Sequence, residues 1–113
     1  MALYYSLPVY RDVYSLTLLM FELTKEFPRE YKYSLGQDIK RDSIELVRSI
    51  YRANRSNEKI QHLEKFLEDF EVLKLEVRLC ADLHIITLKQ QARTAELMEK
   101  IGKQITGWKN HSA

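Results

Sequence analysis

The sequence predicts an all-α fold, an antiparallel up-down four-helix bundle, on three observations. Glycine and proline are too scarce for the turns of an all-β chain, with three and two in 113 residues. Apolar residues recur at helical spacing. Polar or turn-forming residues divide the chain into four segments, near 8–27, 34–54, 57–84 and 88–108.

The first helix is expected to start at Pro8, because proline suits the first helical position. Val9, Val13, Leu16, Met20, Leu23 and Phe27 follow in a heptad stripe. Pro28 ends it, since a residue before proline disfavours the helical region. Ser34 and Gln37 have the spacing of a capping box, which opens the second helix. The stretch "FPREYKYSLGQD" therefore reads as a hinge, setting the pitch between the two helices and placing Arg29 and Lys32 at one end of the bundle. The polar turn "NRSN" leads to the third helix, with Leu63, Phe66, Phe70, Leu73, Val77 and Cys80 on its core face. Thr87 and Gln90 form a second capping box. The fourth helix then carries Thr94, Leu97, Met98, Ile101, Ile105 and Trp108 inward. Gly102 inside it costs about 1 kcal/mol relative to Ala, which suggests close packing there.

Composition bounds the function classes. Apolar content of 45% with 30% charge fits one soluble domain rather than a disordered tail. The lone Cys80 excludes an intramolecular disulfide framework and fits a reducing compartment. No apolar run approaches the roughly 18–20 residues of a membrane span. "LTLLMF" is short and flanked by Arg11, Asp12 and Glu22, so no signal peptide is expected and a cytoplasmic location is.

Net charge is only +2, but it is sorted along the chain. Residues 34–57 carry +2, residues 58–84 carry −3 and residues 85–113 carry +3. At about 100° per residue, Leu35, Ile39, Ser43, Leu46, Ile50 and Ala53 of the second helix face the core. Arg41, Arg48, Arg52 and Arg55 share an opposite stripe, diluted by Glu45. Lys89, Arg93, Lys100 and Lys103 form a comparable stripe on the fourth helix, diluted by Glu96. Such stripes are either solvated helix surface or a phosphate-tracking surface that binds without sequence specificity.

Two apolar surfaces remain. Ile44, Val47 and Tyr51 flank the second helix. Val72, Leu75, Leu79 and Leu83 lie on the third helix away from its core stripe. Either the third helix is buried more deeply than its neighbours, or these residues form a subunit interface; the interface is the expectation.

Catalytic patterns are missing. His62, His84 and His111 belong to no Glu-x-x-His pair, so no di-metal site is expected. Cys80 lies on the core stripe without a second cysteine near it, and reads as a buried structural thiol. No Gly-rich phosphate loop or zinc spacing occurs, and neither a cofactor nor an enzyme activity is expected. The seven tyrosines concentrate towards the N-terminal half. They read as packing residues with wet hydroxyls, with base stacking by Tyr31 or Tyr33 the alternative.

The order "FPREYKYSLGQDIKRD", "YRANRSNEKIQHLEKFLEDFEVLKLEVRLCADLHIIT" and "ITGW" resembles the Avd-like four-helix bundle family over about residues 7 to 109. That family includes accessory variability determinant proteins of diversity-generating retroelements. It is related to proteins encoded by intervening sequences of large-subunit rRNA genes. Arg29, Arg78 and Trp108 stand at matching motif positions. The "S-I-P-x-N-I-A-E-G" pattern of many intervening-sequence relatives is replaced by "RSIYRANRS", which favours the retroelement branch. The resemblance implies a cyclic homo-oligomer, a barrel-like homopentamer with a basic surface. It implies a reverse transcriptase as partner and RNA or DNA as ligand. The expected nucleic-acid contacts are Arg41, Arg48, Arg52, Arg55, Arg78, Lys89, Arg93, Lys100 and Lys103. The expected oligomer contacts are Ile44, Val47, Tyr51, Val72, Leu75 and Leu79. The alternative is an oligomeric scaffold of the intervening-sequence type that binds no nucleic acid directly.

Overall fold

In the computed structural model, which describes residues 3–113, four long helices surround one core. They are α1 (Pro8–Lys25), α3 (Leu35–Arg55), α4 (Lys59–Asp82) and α5 (Leu88–Ser112). A single helical turn, α2 (Arg29–Lys32), joins α1 to α3, and a 3-10 turn at Tyr4–Ser6 precedes α1. No strand occurs among the described residues.

The expected core stripes are the observed ones. Val9, Val13, Leu16, Met20, Leu23 and Phe27 are buried against Ile39, Leu46 and Ile50 of α3 and the Leu63-to-Cys80 stripe of α4 in one cluster. Met98, Ile101 and Ile105 bring α5 into the same cluster. Ser43 and Thr94 inside this core bond within their own helices, Ser43 donating to the Ile39 carbonyl at 2.7 Å and Thr94 to that of Gln90 at 2.8 Å, whereas the buried Ser49 hydroxyl finds no partner among the described residues.

Besides α4 starting at Lys59 rather than near residue 57, helix ends depart from the expectation in four places. α1 stops at Lys25, two residues short of Phe27, with the Glu26 N–H donating to the Leu23 carbonyl. Phe27 still turns into the core beside Gly36, where an added Cβ would stand 3.3 Å from the Tyr31 carbonyl and 3.5 Å from the Phe27 ring. The hinge therefore closes on a glycine. Ser34 holds the N-cap position of α3 but forms no capping box. The α2 turn claims its hydroxyl, which donates back to the Glu30 carbonyl at 3.1 Å. α4 ends at Asp82 rather than near His84, in a Schellman closure: the His84 and Ile85 N–H groups reach the Ala81 and Cys80 carbonyls, both at 3.0 Å. α5 runs on to Ser112, past the expected end at Trp108.

The Thr87–Gln90 capping box is present as expected, with the two hydrogen bonds at 2.8 and 3.0 Å. Gly102 needs no close packing, because a Cβ there would meet Phe70 at 3.6 Å, an ordinary contact. Lys59 makes the α3–α4 turn tight. Its ammonium donates to the carbonyls of Ala53, Asn54 and Ser56 at 2.9, 3.2 and 3.0 Å, satisfying the end of α3.

Around the core, α3 packs against α1 and α4, while α5 packs against α4 and α1. α3 and α5 therefore occupy opposite corners. This placement sets the geometry of the basic surface.

Candidate nucleic-acid interface

The four arginines of α3 are all exposed along its outer stripe. They differ in what holds them. Arg41 lies between Asp38 and Asp42 at 3.2 and 3.4 Å, and the charge of Asp42, then of Asp38, strengthens its hold on its proton. Arg48 pairs with Glu45 at 3.2 Å. Arg55 lies over the Tyr51 ring and donates to the Tyr51 hydroxyl. Arg52 forms no ion pair among the described residues.

The stripe on α5 is likewise exposed. Lys100 lies 3.5 Å from Asp12 of α1, and Lys103 lies 3.3 Å from Glu99. Lys89 and Arg93 form no ion pair among the described residues. Because α3 and α5 sit at opposite corners, the two stripes point away from each other and do not merge within one chain. Arg78 is 78% exposed on α4, with Asp82 at a loose 3.9 Å, beside a groove of Lys74, Gln91 and Glu99 between α4 and α5. Arg29 is exposed at the start of α2, and Trp108 is half-buried beside Leu7, Pro8 and Val9.

Carboxylates of α3 face its seam with α4. Asp42 and Asp38 bear on Glu76 of α4, and Glu45 bears on Lys65. Burial first, then Asp42, pushes the Glu76 carboxyl up to about 8. The same seam affects Cys80, whose thiol is pushed up to about 11 by burial and by Glu76. Such a thiol stays protonated and unreactive at neutral pH, as its place on the core stripe suggested.

The expected interface residues are exposed apolar side chains. Val72, Leu75 and Leu79 are 48%, 65% and 44% exposed on the outer face of α4. Ile44 and Tyr51 are exposed on α3, and Val47 is half-buried against the core. These two groups lie on different sides of the arginine stripe. One sits on α4; the other is on the α1 side of α3, where Tyr51 meets Tyr4 and Lys40 lies over Phe21. Tyr14, Leu18 and Phe21 of α1 extend this second surface and are exposed too. The sequence held a signal for them: Leu18 and Phe21 are apolar but lie off the heptad stripe of α1.

No group of histidine, cysteine and carboxylate side chains among the described residues could hold a metal ion. No described helix is long and apolar enough to cross a membrane. No curated protein sequence matches the chain closely enough to count as a relative. A family model does match, over residues 9–112, nearly the whole length, and by that match the chain belongs to the bAvd-like family.

Proposed function

We propose that this chain is a nucleic-acid-binding accessory protein that partners a reverse transcriptase in a diversity-generating retroelement. It acts in the cytoplasm, without catalysis of its own, as a cyclic homo-oligomer, a pentamer by the family resemblance. The observation that carries the reading is the pair of exposed basic stripes on α3 and α5, on a chain of the bAvd-like family.

The up-down antiparallel arrangement belongs to this reading. It is supported by contacts between opposite ends of neighbours: Lys109 near the end of α5 lies 3.6 Å from Glu64 near the start of α4. Gln104 of α5 donates to Asp12 of α1 at 2.6 Å. In such a protomer the apolar stripe of α4 and the apolar α1–α3 side are separate surfaces. Docking the first onto the Leu18, Phe21, Ile44 and Val47 end of the second in the next copy, with the tyrosine end left uncovered, is a heterologous contact, which closes into a ring when the rotation permits. A ring would bring the α3 and α5 stripes of successive copies into repeating order and add many weak phosphate contacts on one ligand.

Neutralising Arg41, Arg48, Arg52 and Arg55 to Gln tests the reading. Affinity for unrelated nucleic-acid sequences should fall alike and the salt dependence should flatten, with helix content unchanged. The scaffold reading takes over if affinity and salt slope stay at parent values. Its own support is that Arg41, Arg48, Lys100 and Lys103 already have carboxylate partners.

A further inference from the structure

Four tyrosines at the start of the chain form a connected set of rings. Tyr4 stands edge-on to Tyr5, Tyr10 and Tyr51, with centroids 5.4, 5.2 and 5.0 Å apart. Tyr10 stacks on Tyr14 at 6.1 Å with 19° between the planes. Tyr4 and Tyr10 are half-buried, and they brace Tyr5 and Tyr14, which are 55% and 49% exposed. Arg55 lies over Tyr51 with its guanidinium 5.4 Å from the ring centroid.

Charge around this cluster is one-sided. Between Leu3 and Phe21 the only carboxylate is Asp12. Asp12 turns to α5, where it accepts from Gln104 and lies near Lys100. On α3, Asp38, Asp42 and Glu45 act on the α4 seam. Arg11 of α1 and Arg55 of α3 are exposed next to the rings in sequence or in contact. Aromatic faces held rigid beside cations, with the carboxylates turned elsewhere, complement a polyanion that carries free π-faces.

We propose that the Tyr4–Tyr5–Tyr10–Tyr14 cluster, with Arg55, is a stacking platform for unpaired bases of a single-stranded nucleic acid. It rests on the nucleic-acid reading above and gives it a strand preference. Basic stripes attract any phosphate backbone, paired or unpaired. Duplex bases are already stacked on one another and offer no face to Tyr5 or Tyr14. Single-stranded bases do.

The experiment compares two labelled probes by fluorescence anisotropy at one low salt concentration. One is oligothymidylate, whose bases scarcely stack on each other; the other is a hairpin duplex whose loop is a base-free linker, with the same number of phosphates. Replacing Tyr5→Ala and Tyr14→Ala together should weaken oligothymidylate binding about tenfold and leave the hairpin unchanged. The Tyr5→Phe, Tyr14→Phe variant should bind as the parent does, because it keeps both rings. The platform is overturned if the alanine variant keeps parent affinity for oligothymidylate or loses both probes equally. It is also overturned if the alanine variant sediments at a smaller size than the parent, which would make the cluster a subunit contact. Failure of the parent to bind either probe would instead remove the nucleic-acid reading itself, and the platform with it.

Discussion

Asp42 of α3 and Glu76 of α4 oppose two carboxyl groups across a helix seam. One Glu76 oxygen, Oε1, is sealed from solvent and receives no donor. Two carboxylates have no proton to share, whereas a protonated Glu76 can donate to Asp42. Burial is the larger cause of the raised affinity, and Arg41 opposes it only in part.

Stability should therefore depend on pH in a defined window. Glu76 releases its proton near 4.5 when unfolded and at about 8 when folded. Between these values the folded chain binds more protons than the unfolded one. The contribution is full below the lower value, falls as pH rises, and is gone above the upper one. Glu76→Gln keeps the neutral shape. It should raise stability by about 1–2 kcal/mol at high pH, after discounting for the partial exposure of the site, and change it little at low pH. Urea unfolding at both ends of the window checks this; an unaltered pH slope in the variant would show that the pair does not govern it.

His84 closes α4 with φ at 60°, the one non-glycine residue with positive φ among the described residues. It occupies the position after the C-cap that glycine usually fills, and a side chain there costs about 1 kcal/mol. His84→Gly should stabilise the protein by about 0.5–1 kcal/mol, and His84→Val should destabilise it by a similar amount or more. Thermal unfolding of the two variants should move in opposite directions. A destabilised glycine variant would mean that the imidazole makes a compensating contact.

His84 also shows where the sequence is silent. The core stripes were legible because burial acts on every residue at helical spacing, and Leu63 to Cys80 repeat that spacing without a break. The Thr87–Gln90 box was legible because it is local. Ser34–Gln37 has the same pattern and a different outcome, since the extra turn at Arg29–Lys32 draws the serine hydroxyl backwards. The end of α4 carries no glycine, so nothing in its composition marks the Schellman closure. The basic residues were legible as stripes, but their pairing was not. Which of them meet a carboxylate depends on which seam the carboxylates face, a tertiary fact.

Leu75 is the most exposed member of the α4 apolar stripe, so a charge there is harmless to a single protomer. In the proposed ring that charge would be buried without a partner, at a cost of several kcal/mol. Leu75→Glu should dissociate the assembly while keeping the helix content. Leu88→Glu is the control: Leu88 is 84% exposed at the start of α5, where an acidic residue suits the helix N-terminus. Sedimentation of both variants beside the parent decides the matter. A monomeric parent, or an intact Leu75→Glu oligomer, would exclude α4 as the interface.

Pairing should rank the basic residues. Lys89 and Arg93 have no carboxylate partner among the described residues, whereas Lys100 and Lys103 lie 3.5 and 3.3 Å from Asp12 and Glu99. A cation already paired with a carboxylate neutralises a phosphate less completely, so fewer of the nucleic acid's counterions are released there. Lys89→Gln with Arg93→Gln should lower the salt slope by about two for each copy that contacts the ligand, one for each lost phosphate contact. Lys100→Gln with Lys103→Gln should lower it by less than about one for each such copy, because each lysine already shares its charge with a carboxylate. The same ranking should hold on α3, where Arg52→Gln should cost more slope than Arg41→Gln, which is held between two aspartates. Titrations over a range of salt concentrations measure these slopes directly. Equal slopes for the paired and unpaired sets would mean that the ion pairs open freely on binding and that position along the stripe, not pairing, sets each contribution.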